Sequence, residues 1–368
     1  MERITVAYQK KPSYDIVFTD SFDGLADELR TLETESKKIC IITDSKVDEI
    51  YGEQVLQIVS TCCKKAVKFV FPNGEENKNL DTVKNAYRFL IEEGFDRKDL
   101  LIALGGGVVG DTTGYVAATY LRGVSFIQIP TTLLAQADSS IGGKTGVDFE
   151  GYKNMVGAFK MPSLVYMNFQ TLTTLDDRQF FSGFAEIMKH GLIKDASFYE
   201  WLIENMYDIC ERDLTTLSQM LQKSCDIKRM VVEKDPTEQG ERALLNFGHT
   251  IGHAIEKAKN FELYHGECVA LGSVAAAYIS WKRELLSMEE YYEVRDMFVP
   301  FYLPISVDKI DPKEILRLTK SDKKMESGKI KFVLLKKIGK AIIDNTVTDE
   351  EILAAVNEIY FSEEDEHE

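Results

Sequence analysis

The first half of this chain alternates short apolar runs with amphipathic stretches, and that alternation limits its architecture more than any other feature. The runs at 39–43, 67–71, 100–104 and 126–129 are brief, rich in β-branched and bulky residues, and read as buried strands. Helical periodicity follows the first at 47–59 and the second at 80–93. Parallel strands need a long crossover to bring the chain back, so strand–helix repetition predicts a parallel sheet with helices on its faces.

Beyond residue 175 the pattern changes. Helical stretches at 178–193, 197–210, 214–233, 245–259, 266–286 and 288–297, with little strand alternation between them, predict a mainly helical second domain. The expected domains are therefore 1–175 and 176–368. A late apolar run at 330–335 fits a strand or a helix, because periodicity does not separate the two over so few residues.

Composition removes several classes of function. The 368 residues carry a formal net charge of −16, with five acidic residues among the last six positions, and such a molecule repels nucleic acid and anionic membranes. Neither is expected as a partner, and the acidic tail reads as a solvated end. No window reaches the ~18 uncharged apolar residues of a membrane span. The N-terminus lacks the apolar centre of a secretory signal, so the expected compartment is the cytoplasm. The six cysteines show no C-x-x-C pairing and read as reduced thiols packed like small hydrophobes.

Histidine directs the search for chemistry. Only five occur, and His249, His253 and His265 fall within seventeen consecutive positions. His249 and His253 are spaced i, i+4, on one helix face, where both could reach one metal, and neutral imidazoles suit zinc. Glu186, flanked by apolar residues and spaced i, i+3 from Lys189, is a fourth candidate or half of a solvated helical pair. Glu238 and Arg242, at i, i+4, read as a helix-stabilising pair or as part of a substrate clamp with Lys228 and Asn246.

Two glycine-rich segments suggest anion binding. Gly105-Gly106-Gly107-Val108-Val109-Gly110-Asp111 follows a predicted strand and opens a helical stretch, as a pyrophosphate site at a helix N-terminus would, although a tight structural turn explains the glycines too. The stretch from Asp138 to Thr145 ends in Gly142-Gly143-Lys144-Thr145 like a P-loop, but Asp138 stands where that motif has its first glycine, which disfavours an NTPase. Lys144, Lys153, Asn154 and Arg122 are candidates for a phosphate monoester, or surface residues.

Taken in order, these segments resemble the 3-dehydroquinate synthase family. The resemblance runs from Gly74-Glu75-Glu76-Asn77-Lys78 through the glycine segment, Leu121-Arg122-Gly123, Pro130-Thr131-Thr132, Asp138 to Thr145, Lys153-Asn154, Ala185-Glu186, the 245–256 stretch and His265-Gly266-Glu267 to Ser321-Asp322-Lys323-Lys324. It implies a Rossmann-like α/β domain holding NAD, a helical domain holding zinc or cobalt, an active site in the cleft between them, and a homodimer. Position by position it implies Glu186, His249 and His265 as metal ligands, which moves His253 from the metal to the substrate phosphate. NAD contacts would come from Glu75, Lys78, Gly107, Val108, Val109, Gly110, Asp111, Thr131, Thr132, Lys153, Thr171, Leu172, Thr173 and Thr174. Substrate contacts would come from Asp138, Lys144, Asn154, Lys189, Lys228, Arg242, Asn246, His253 and Lys324 (or its neighbour Lys323), with Arg122 reaching across the dimer. The sequence departs from the family at Asn168, Asp176 and Pro236, where an aspartate, a proline and an acid are usual.

The reaction implied by the resemblance converts 3-deoxy-D-arabino-heptulosonate 7-phosphate, a sugar-acid phosphate, to 3-dehydroquinate and phosphate. It proceeds by transient oxidation with NAD, β-elimination of phosphate, reduction and intramolecular aldol closure, a step of aromatic amino acid biosynthesis through the shikimate pathway.

Overall fold

The computed structural model describes residues 2–238, 240–321 and 331–361, so Lys323, Lys324 and the acidic tail lie outside the described residues. The chain divides into two compact units, Met1–Leu175 with Leu217–Arg229, and Asp176–Thr216 with Met230–Glu368. A single cut after residue 175 leaves out Leu217–Arg229, which groups with the first unit.

The first unit is built on strands β1 (Glu2–Tyr8), β2 (Lys11–Thr19), β3 (Lys38–Asp44), β4 (Lys65–Phe71), β5 (Leu100–Gly105), β6 (Ser125–Pro130), the β7 (Lys144–Phe149) and β8 (Tyr152–Phe159) hairpin, and β9 (Leu164–Asn168). Seven strands form one sheet in the order β1-β2-β9-β6-β5-β3-β4, parallel except for β1 against β2. Side chains alternate across it. Ile39 and Ile41 join Leu100, Ile102 and Leu104 on one face, and Cys40 and Ile42 join Leu101 and Ala103 on the other. The first face is covered by α1 (Leu25–Arg30) and by α3 (Glu53–Ser60), which follows the short α2 (Ser45–Val47). The second is covered by α4 (Leu80–Glu92) and α5 (Gly107–Thr119). Burial on both faces explains the continuous apolar runs in sequence. Pro130, one residue past the expected run at 126–129, is the last member of β6, in register with Gly105. Sequence reading passed over β1, β2, β9 and the β7–β8 hairpin.

The second unit is mainly helical. It contains α6 (Asp177–Lys194), α7 (Ala196–Glu204), α8 (Met206–Cys210), the ends of α9 (Leu214–Lys234), α10 (His249–Ala258), α11 (His265–Lys282), α12 (Met288–Asp296), α13 (Pro312–Ser321) and α14 (Asp349–Ile359). The late apolar run is a strand, β10 (Phe332–Lys337), paired antiparallel with β11 (Lys340–Asp344). Helix α11 is apolar on all sides, with Gly266 to Ala277 buried, and α6, α10, α12, α14 and β10 pack around it. The helix expected at 245–259 begins only at His249, because a 3-10 turn (Glu241–Asn246) and a left-handed Gly248, φ +78°, precede it. Among the described residues no helix is long and apolar enough to cross a membrane.

Truncating Ile41, fully buried at the centre of the sheet, should cost about 2–5 kcal/mol of stability. A thermal melt of Ile41→Ala indistinguishable from the parent would contradict this placement of the core.

Candidate active site

Helix α6 starts at the Asp176 N-cap, whose carboxylate accepts from the Gln179 N–H at 3.0 Å, so the aspartate expected as a departure from the resemblance serves as a cap. From Phe180 to Ile193 the helix is buried on every side. Glu186 and Lys189 are 1% and 2% exposed, so their pair is an interior ion pair and not a solvated one. Glu186 Oε1 lies 3.3 Å from His249 Nε2 and 3.4 Å from His265 Nε2, while Oε2 faces Lys189 Nζ. Ligand atoms of His249, His253 and His265 all fall within 4.8 Å of one another.

Close backbone approach makes this convergence possible. A Cβ on Gly272 of α11 would lie 1.8 Å from the Gly248 carbonyl oxygen at the start of α10, and one on Gly252 would lie 2.6 Å from that of Cys268. A Cβ on Gly266 would lie 1.7 Å from the carbonyl oxygen of Ser182, one turn before Glu186, and Ser182 Oγ accepts the Gly266 N–H at 3.0 Å. The α11 N-terminus is further fixed by Glu267, which caps Tyr264 N and receives Arg178.

The donor atoms converge from three sides. His249 Nδ1 bonds the Phe247 carbonyl at 3.0 Å; a carbonyl only accepts, so Nδ1 carries the proton and Nε2 turns its lone pair toward Glu186. Burial, then the Lys189 charge, pushes His249 down to about 4, so it is neutral near pH 7. Two lone pairs facing each other at 3.3 Å call for a positive ion between them. Burial opposes ionisation of Glu186, but Lys189 and His249 outweigh it and hold the carboxyl well below its ordinary range. Burial likewise opposes the His265 charge, yet Glu186 and Glu256 raise it to about 9. Carboxylate and imidazole are the donor chemistry of zinc or cobalt. Sequence reading missed Glu256, whose Oε2 is 3.8 Å from His265 Nδ1; its spacing of seven from His249 was the available signal.

Other expected residues gather around buried cations. Lys78, 5% exposed, donates to Asp111 Oδ2 at 2.7 Å and Asn154 Oδ1 at 2.6 Å. Burial works against its charge, but Asp111, Glu75 and Asp148 outweigh that and raise its pKa. A residue expected at NAD and one expected at substrate thus share one network. Lys228, 4% exposed, donates to the Asp138 carboxylate at 2.5 Å and carbonyl at 2.6 Å. Arg242, 2% exposed, donates to the Pro236 carbonyl at 2.7 Å, and its N–H meets Asp235 at 3.0 Å. Glu238 is not on a helix with Arg242; it has a left-handed φ of 59° and accepts from Asn246 at 2.8 Å.

The glycine segment opens α5, where the N-cap is Gly106, which has no side chain to cap the first turn. Among the described residues no side chain is seen to accept from the N–H groups of Gly107, Val108 and Val109, the arrangement that receives an anion. Packing also requires these glycines, since a Cβ on Gly110 would lie 2.8 Å from Gln128 Oε1. Thr131 N bonds the Gly105 carbonyl at 3.0 Å, and Thr132 Oγ1 caps Ala135 N at 3.2 Å. Lys153 faces Glu75 at 3.8 Å, and Lys144, Lys153 and Asn154 lie on the β7–β8 hairpin. Thr171, Thr173 and Thr174 donate to backbone carbonyls of their own 3-10 turn, and Leu172 is fully buried. Asn168 caps that turn through Gln170 N, a job its amide oxygen does as an aspartate would. Arg122 is exposed in a turn where Leu121, Arg122 and Gly123 all have positive φ.

Comparison with known proteins agrees along the chain. The family described as "3-dehydroquinate synthase N-terminal" matches residues 68–182, and "3-dehydroquinate synthase C-terminal" matches 183–325. The chain is 44% identical over 356 residues to the 3-dehydroquinate synthase of Acetivibrio thermocellus, covering 97% of this chain and 98% of the relative. It is 42% identical over 347 residues to that of Ruminiclostridium cellulolyticum, covering 94% and 96%. A solved 2-epi-5-epi-valiolone synthase from Streptomyces hygroscopicus subsp. jinggangensis 5008, with NAD+ and Zn2+ bound, is similar at a TM-score of 0.88 and 29% identity, over 96% of this chain and 98% of that one. A 2-deoxy-scyllo-inosose synthase shares the fold at a TM-score of 0.86 and 24% identity, over 97% and 100%.

Adding one methyl at the α10–α11 crossing tests the geometry. Gly272→Ala should destabilise the protein by about 1–3 kcal/mol and weaken zinc binding, because it forces His249 away from His265. Parental zinc affinity in that variant, measured by competition with a chelator, would show that the crossing does not set the spacing.

Proposed function

The chain belongs to the 3-dehydroquinate synthase family, and on that premise we propose how its own residues carry the conversion of 3-deoxy-D-arabino-heptulosonate 7-phosphate to 3-dehydroquinate and phosphate. It is a carbon–oxygen lyase that uses NAD and a divalent metal, zinc or cobalt. When bound, the nicotinamide accepts and returns a hydride, and the metal acts as a Lewis acid on substrate oxygens.

Glu186, His249 and His265 are the proposed metal ligands. The observation that carries this reading is one buried carboxylate oxygen presented to two imidazole nitrogens at 3.3 and 3.4 Å. His253, exposed beside them with its ring 5.1 Å from that of His249, is assigned to the substrate phosphate. In the first unit the NAD contacts are assigned to the uncapped start of α5 with Glu75, Lys78, Asp111, Thr131, Thr132, Lys153 and the turn from Thr171 to Thr174. Substrate contacts are assigned there to Asp138, Lys144, Asn154 and Lys228. In the second unit they are assigned to Lys189, Arg242, Asn246 and His253, with Lys324 outside the described residues. Lys189, Lys228 and Arg242 are buried cations already fixed by protein acceptors, so they can orient carboxylate, hydroxyl and phosphate oxygens without reorganising. The substrate's phosphate is proposed as the elimination base, with these residues positioning it.

We also propose a homodimer in which Arg122 serves the partner's site. Leu121 and Arg122 both hold positive φ, which is costly for residues with a side chain, and such strain clusters at functional sites. The proposed compartment is the cytoplasm, in keeping with six cysteines that form no disulfide among the described residues.

Incubation with the heptulosonate phosphate, NAD and zinc should release phosphate and dehydroquinate in equal amounts without net NADH. Phosphate without the carbocycle would refute the reading. His249→Ala should lose metal and activity together, whereas His253→Ala should keep the metal and turn over about 10²-fold more slowly. Equal metal loss in both variants would overturn the ligand assignment.

A further inference from the structure

We propose that Glu256 is a positioning residue of the metal centre: its carboxylate holds the Nδ1–H of His265 and so aims the Nε2 lone pair at the ion. The inference rests on Glu186, His249 and His265 as the ligand set and adds a residue outside it.

Three observations carry it. Glu256 follows His249 and His253 at i+7 and i+3 on α10, so all three share one stripe of the helix. Its side chain is in the interior, 4% exposed, and a carboxylate placed there is costly unless it meets positive charge or hydrogen-bond donors. The His265 ring stands between two carboxylates, with Nε2 3.4 Å from Glu186 and Nδ1 3.8 Å from Glu256.

The ring's two nitrogens make this arrangement directional. A neutral imidazole has one N–H and one lone pair, and the partner on one side decides which nitrogen carries which. Once an ion takes the Nε2 lone pair, Nδ1 carries the remaining proton, and Glu256, which can only accept, is the carboxylate on that side. His249 is arranged in the same sense, its Nδ1 held by the Phe247 carbonyl at 3.0 Å. The two imidazoles thus turn their outer nitrogens to different acceptors, a neutral carbonyl within hydrogen-bond distance of His249 and an anionic carboxylate at ion-pair distance from His265. The carboxylate makes its imidazole the more basic ligand, and losing such a partner typically weakens metal binding about 10–100-fold. A carboxylate serving only to pack α10 would affect folding and leave metal affinity alone.

The test uses full-length protein stripped of metal by a chelator, then titrated with zinc against a chelator of known affinity. Glu256→Ala should bind zinc about 10–100-fold more weakly. Glu256→Gln, which keeps shape and an acceptor but not the charge, should fall between it and the parent, and it decides the question if the alanine variant fails to fold. Zinc affinity within twofold of the parent in the glutamine and alanine variants, while His265→Ala loses the metal, would overturn the role of Glu256 and leave the ligand set standing. Parental affinity in His265→Ala would overturn the ligand set itself, and the inference with it.

Discussion

The Glu186 carboxylate sits in the middle of a helix that is buried on all sides, and a bare charge in such a place costs several kcal/mol. Lys189, one turn on, and the His265 imidazolium provide the compensation, while neutral His249 turns a lone pair toward the same carboxylate. None of these groups is comfortable alone. The lysine is as buried as the glutamate, and His249 is driven to its neutral form. Once the polypeptide places Glu186 there, the helices carrying the histidines must come within ion-pair distance of α6, and the site follows from that requirement.

Meeting the requirement depends on backbone approach. Side chains at the α10–α11 crossing would hold the helices apart, and at Gly248, Gly252 and Gly272 there are none, while Gly266 lets α11 approach α6 at Ser182 in the same way. Helix α11 is apolar around its whole circumference, so it is surrounded by other elements and cannot shift toward solvent. The glycines set how close the helices lie, and the apolar packing makes that distance permanent.

The first unit arranges its charges by a related principle. Alternate residues of β3 and β5 enter two separate cores, one on each face, which fixes the sheet between helices. Elements outside that sheet then carry the polar groups. Lys78 joins Asp111 at the start of α5 to Asn154 on the β7–β8 hairpin, and Lys228 is held by Asp138. Each buried ammonium is oriented by protein carboxyl or amide oxygens, which is why residues far apart in sequence behave as one set.

Strands β3 to β6, the glycine turn before α5 and the histidine trio were legible in the sequence, because each is a local pattern with a period or spacing dictated by one element. The β7–β8 hairpin was not, since β8 alternates exposed with half-buried residues and gives little apolar contrast, and β1, β2 and β9 were not read either. Spacing suggested a solvated Glu186–Lys189 pair and a helical Glu238–Arg242 pair, and in both cases the surroundings decided otherwise. By itself the sequence determined the kinds of residue available for metal and anion chemistry, and the family pattern to which they belong. Tertiary structure alone decided that Glu186 is interior, that His249 and His265 turn Nε2 toward it, and that Glu256 stands behind His265. The reason is physical: periodicity describes one helix at a time, whereas convergence depends on how closely the backbones of several helices can pack.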